Sequence, residues 1–66
     1  MNKFREALNE PRTYRVTIHE DFHNVTLTGE FIADNEDEAT EKAQILYAIE
    51  LDCDPDDIKI VEVEEI

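Results

Sequence analysis

Residues 33–51, ADNEDEATEKAQILYAIEL, decide the fold, because they read as one substantial helix with its start signal attached. Asn35 followed three residues later by Glu38 is an N-x-x-E start in the manner of a capping box, in which the cap side chain and the N3 carboxylate satisfy free backbone N–H groups. Glu36, Asp37 and Glu38 put three carboxylates in the first turn, where unpaired N–H groups and aligned peptide dipoles favour anions. At about 100° per residue, Ala39, Ala43, Leu46, Ile49 and Cys53 form one stripe, with Asp37, Glu41 and Gln44 opposite. The pattern predicts Leu46 and Ile49 in the core and Glu41 and Gln44 in solvent. Ile45, Tyr47 and Leu51 widen the packed stripe. Small residues precede large ones, so the helix is expected to approach its partner surface most closely at its N-terminal end.

The flanking sequence supplies that surface. In residues 13–19, TYRVTIH, Tyr14, Val16 and Ile18 alternate with Arg15, Thr17 and His19, the period of a half-buried strand. Asp21 and Asn24 give residues 20–24 turn chemistry, and Val25, Leu27, Phe31 and Ala33 then mark one face of a second strand. Gly29, the sole glycine, sits on that face and predicts a bulge or a close approach of the helix backbone. After the helix, Asp52, Asp54, Asp56 and Asp57 surround Pro55, which bars any continuation of the helix. Ile58 to Glu64 form a third strand, in which Ile58 and Ile60 are out of phase with Val61 and Val63. That mismatch predicts either a bulge or a strand covered on both faces.

The expected fold is therefore α+β in the order ββαβ. A three-stranded antiparallel sheet has the first strand in its middle and one helix packed on one face. Residues 2–9, NKFREALN, add a short helical turn with Phe4 and Leu8 on one side, stopped by Pro11. Residues 1–12 form a basic N-terminal segment and residues 13–66 a single acidic domain. The sheet has two open edges, which Glu30, Glu62 and Glu64 protect from unselective pairing while leaving room for a chosen partner strand.

A chain of 66 residues buries roughly 60% of the surface its unfolded form exposes, so its core is thin. Cys53 is the only cysteine, which excludes a disulfide within the chain and reads as a buried thiol in a reducing cytoplasm. No long apolar run marks a membrane span or a secretory leader, so the expected location is the cytoplasm. Asn24-Val25-Thr26 is then a chance glycosylation sequon. Eighteen acidic residues against six basic give a net charge of −12. Residues 1–15 carry a net +2 and residues 16–66 a net −14, with only Lys42 and Lys59 as cations. This balance disfavours direct binding to nucleic acid or to an anionic membrane and favours a basic protein surface as partner.

The catalytic patterns fail on their contexts. His19-Glu20-Asp21-Phe22-His23 spells H-E-x-x-H, but that zinc signature needs a helix, and here it straddles a strand end and a hairpin turn. Asp52, Asp54 and Asp56 match the first ligand positions of a calcium loop, yet Asp57 stands where the sharp-turn glycine belongs and Val63 where the bidentate glutamate belongs. There is no serine, and Cys53 has no histidine near it in sequence. The expectation is a non-enzymatic binding module without cofactor or metal. It would present Glu36, Asp37, Glu38, Glu41, Asp54, Asp56 and Asp57 to its partner.

The run from Tyr14 to Glu20, followed by Ala33-Asp-Asn-Glu-Asp-Glu38-Ala39 opening a helix that reaches Tyr47, resembles the short C-terminal domain of DpnD/PcfM-like proteins of phages and mobile elements, over residues 13–51. That resemblance implies no catalytic residues. By size, acidity and element order the chain is also similar to small phage anti-CRISPR and anti-restriction proteins, which as a class occupy the nucleic-acid site of a defence complex. The resemblance implies an inhibitor that binds a basic surface of a host nucleic-acid-handling protein such as a CRISPR effector. The alternative is a scaffolding module that homodimerises through a sheet edge.

Overall fold

The computed structural model describes residues 11–66, so the helical turn read over residues 2–9 lies outside the described residues. Strand β1 (Arg12–Glu20) and strand β2 (Val25–Ala33) form a hairpin; helix α1 (Glu36–Leu51), a 3-10 turn (Pro55–Asp57) and strand β3 (Ile58–Glu65) follow. In space the strands lie β2-β1-β3, and both pairings are antiparallel. No helix among the described residues is long and apolar enough to cross a membrane.

Period-2 alternation along β1 sends Tyr14, Val16 and Ile18 beneath the helix, where each is at most 2% exposed. A bulge resolves the mixed phase of β3. Thr17 faces Glu62 while the next residue, Ile18, faces Ile60, which leaves Val61 without a partner on β1. Ile58, Ile60 and Val63 thereby all join the core side, and Val61 is left exposed.

The helix packs by a different face from the one its large residues suggest. Ala39, Ala43 and Ala48 are buried, whereas Leu46 is 42% exposed, Ile45 50% and Ile49 73%. Gln44, expected in solvent, turns inward and donates from Nε2 to the Ile58 carbonyl at 3.0 Å. The packed face is rotated by about 100°, one residue's step, from the expected stripe. The cause lies in the sheet, whose inner face already carries Tyr14, Val16, Ile18, Leu27, Phe31, Ile58 and Ile60. Against so bulky a layer only methyl-sized side chains let the helix sit close, and the alanines run its whole length rather than its first half. Tyr47 and Leu51 fill the remaining gaps.

Gly29 marks no bulge; it pairs in register with Val16. What comes close there is a side chain, not the helix backbone. The Tyr47 hydroxyl occupies the space a Cβ at position 29 would take, and the Phe31 ring lies 3.2 Å from it. Phe31 and Tyr47 meet edge to face, with centroids 6.0 Å apart.

Both ends of α1 are closed by the chain itself. The Glu38 N–H donates to Asn35 Oδ1 at 2.8 Å. The Glu38 carboxylate reaches back to the N–H of Asp34 at 2.6 Å, one residue before the cap. At the other end Asp52 takes the left-handed conformation, and the N–H groups of Cys53 and Asp52 return to the carbonyls of Ala48 and Ile49, the Schellman pattern. This residue, rather than Pro55, ends the helix.

The rotated face makes a prediction against simple hydrophobicity. Ala43→Leu will cost about 1–3 kcal/mol by overpacking. Leu46→Ala will cost under about 1 kcal/mol, because the side chain is already partly in water. Urea denaturation of the two variants checks the order.

Candidate protein-binding surface

Antiparallel topology sorts the charged groups onto the two ends of the domain and the uncovered face of the sheet. The β1-β2 hairpin and the loop after α1 lie at one end, where they border an open cleft of about 730 Å³. Its lining includes Asp21, Phe22, Asp54, Asp56, Asp57 and Lys59. Phe22 stands out at the hairpin tip, 87% exposed, with its ring edge-on to His23.

The anchor of this end is Glu20, the buried charged residue of the core, 1% exposed. Its Oε2 accepts from the Phe22 N–H at 2.7 Å, and its Oε1 accepts from the His23 N–H at 2.8 Å and from His23 Nδ1 at 2.6 Å. Burial works to raise the Glu20 carboxyl, but the bonds from His23 and Phe22 outweigh it and hold the group below its ordinary value of 4.5. The hairpin is thus folded around one carboxylate. Asp21 is also held low, by the ammonium of Lys59 and the nearby His19 ring, against the opposing effect of burial. His19 Nε2 lies 3.1 Å from its carboxylate.

This geometry splits the H-E-x-x-H sequence across the sheet. Successive strand residues point to opposite faces, so His19 lies on the uncovered side of the sheet, bonded to Thr26 at 2.8 Å, while Glu20 lies beneath the helix. Among the described residues no three His, Cys, Asp or Glu side chains converge on a point that could hold a metal ion. In the aspartate loop the backbone closes on itself, with the Asp57 N–H donating to the Asp54 carbonyl at 2.9 Å. Asp54, Asp56 and Asp57 are exposed. Burial, reinforced by the carboxylates of Glu20, Asp57, Asp54 and Asp52, pushes the Cys53 thiol up, away from the thiolate a nucleophile needs.

Glu36, Asp37, Glu38 and Glu41 occupy the other end, at the start of α1. A helix of 16 residues is about 24 Å long, so the seven expected contact residues fall into two groups, one at each end. Glu36, Asp37 and Glu41 are exposed. Glu38 is half-buried and engaged in the cap, which makes it the least available of the set.

The described cations are already engaged. Arg12 lies 3.9 Å from Glu65; Arg15 lies 3.7 Å from Glu30 and 3.4 Å from Glu64. Lys59 pairs with Asp21, and Lys42 donates to the Ile32 carbonyl at 2.6 Å. Sixteen acidic residues in the described chain face these four basic ones, so most carboxylates have no cation to meet. Glu20 is the structural carboxylate that the sequence reading passed over. The signal was present, since residue 20 continues the 14-16-18 phase onto the buried face. No family model matches the chain, and neither a curated protein nor a solved structure does.

Two predictions follow from the ends of the domain. Glu20 has a lowered folded-state pKa, so its contribution is complete above about 4.5, the unfolded value, and fades as pH falls through the folded value. Comparing wild type with Glu20→Gln isolates it: the melting-temperature gap will be constant near neutrality and shrink on acidification. Asp52→Gly will raise stability by about 1 kcal/mol, because glycine takes the left-handed conformation freely and removes an anion from a helix C-terminus. Thermal melts of both variants across pH check the two together.

Proposed function

We propose that this protein is a non-enzymatic inhibitor of phage or mobile-element type, which binds a basic nucleic-acid-binding surface of a host defence complex such as a CRISPR effector. The observation that carries the reading is the disposition of charge. The described cations are internally engaged, while carboxylates project from both ends of a helix about 24 Å long and from β3. A surface built to receive a duplex, with about one negative charge per 1.7 Å of axis, is lined with lysine and arginine. It meets in this domain a rigid array of carboxylates with few competing positive charges. The same array repels nucleic acid, so the partner is the protein that handles it.

A purified CRISPR effector, titrated with the chain in the presence and absence of its nucleic acid, tests the reading. The inhibitor and the nucleic acid are expected to compete. Raising salt from about 0.1 M to about 0.5 M will weaken binding, mainly through slower association. Glu41→Lys together with Asp56→Lys will slow association by about three- to tenfold and leave the fold intact, since both residues are exposed. Binding that ignores salt and both reversals but is lost with Ile45→Ala would mean the partner is held by apolar contact, and charge mimicry would be wrong.

A further inference from the structure

We infer that the outer edge of β2 is a self-association surface, on which a second copy of this chain pairs antiparallel about a two-fold axis at Gly29. The backbone settles which groups the edge offers. The Ile66 N–H donates to the Thr13 carbonyl at 2.9 Å, so Thr13 faces β3, and the alternation of an antiparallel ladder turns Tyr14 toward β2. Tyr14 pairs with Phe31, which directs Phe31, Gly29, Leu27 and Val25 inward and Thr26, Thr28, Glu30 and Ile32 outward. The Ile32 carbonyl accepts from Lys42 Nζ rather than from β1, which agrees with this alternation, and its second lone pair is left for a partner strand.

A two-fold at residue 29 joins outward groups to outward groups across the nine residues of the strand. Thr28 meets the second copy's Glu30, Thr26 meets its Ile32, and the two glycines face each other at the axis. The register is compatible in charge, since Glu30 is the one charged residue of β2 and it meets a threonine rather than itself. The β1-β2 ladder runs without a shift, so the edge has no bulge to turn a partner away. β3 is the contrast, with its bulge at Val61 and the carboxylates Glu62, Glu64 and Glu65 along it.

The helix flank continues the surface. Tyr47 lies over Gly29, and Leu46, next to it and one turn on from Lys42, is 42% exposed. Pairing two β2 edges places both helices on one side of a six-stranded sheet. The groove between them is then lined by Leu27, Phe31, Leu46 and Tyr47 of each copy, adding apolar burial to a core that one chain leaves thin.

This association does not depend on the inhibitor reading, and salt separates the two. Copies of net charge −12 repel, so dimerisation tightens as salt is raised to about 0.5 M, whereas binding to a basic partner loosens. Sedimentation velocity of the full chain at tens of micromolar, at low and high salt, is the test. The expected result is a dimer that tightens with salt. Thr28→Glu sets like charges opposite each other twice per dimer and will weaken it by about three- to thirtyfold. Thr28→Lys sets opposite charges there and will tighten it, a gain that no folding defect can imitate. A wild-type monomer at both salt concentrations, a species larger than a dimer, or a failure of the two Thr28 variants to move association in opposite directions would overturn the proposal.

Discussion

The close seating of α1 on a sheet face crowded with large side chains is the constraint from which the rest follows. Tyr14, Val16, Ile18 and Ile58 fill the layer beneath the helix, so the helix answers with Ala39, Ala43 and Ala48. Where a larger helix residue does enter, the sheet gives way in turn: Tyr47 fits because position 29 has no Cβ. Large-against-small matching of this kind fills a thin core between one helix and one sheet. It also decides the outer surface. Once the alanine row faces inward, Ile45, Leu46 and Ile49 turn toward solvent, and Gln44 comes within reach of the Ile58 carbonyl at the start of β3.

Much of this was legible in the sequence wherever one local signal had no competitor. The alternation of Tyr14, Val16 and Ile18 and the Asn35 cap each point to one structure, and the strands and the helix start appear there; the switch of phase between Ile60 and Val61 allowed a bulge or a strand covered on both faces, and the register shift shows the bulge. The helix face was harder to read because apolar residues surround α1 from Ala43 onward. Hydrophobicity then ranks Leu46 above Ala43, although the volume available under the helix reverses that order. Volume is a property of the opposing sheet and no window of the helix sequence contains it. Glu20 illustrates a different loss. Its phase places it inside, but its charge argues for solvent, and only the closing hairpin reveals the two N–H groups and the imidazole that satisfy it.

The candidate surface was legible as composition rather than as a shape. The helix read over residues 33–51 already separates Glu36, Asp37 and Glu41 from Asp54, Asp56 and Asp57, but nothing in their spacing shows which end of the sheet each group joins, because that follows from the antiparallel return of the chain. The same return brings the hairpin and the aspartate loop to one end and lets Lys59 reach Asp21 across 38 positions of sequence. That pair neutralises Asp21 locally. The loop beside it keeps its charge.

The placement of that remaining charge bears on whether it serves more than solubility. A helix C-terminus favours cations and disfavours anions, yet the last turn of α1 contains no basic residue, and Glu50 and Asp52 stand there. Asp52 also occupies the left-handed position that glycine fills most easily, with φ at 57°. Glycine at this position would relieve both the backbone and the dipole while leaving the chain far from neutral. Local stability and local charge therefore conflict at Asp52, and charge has prevailed. This conflict lies beside the open cleft that Phe22 borders.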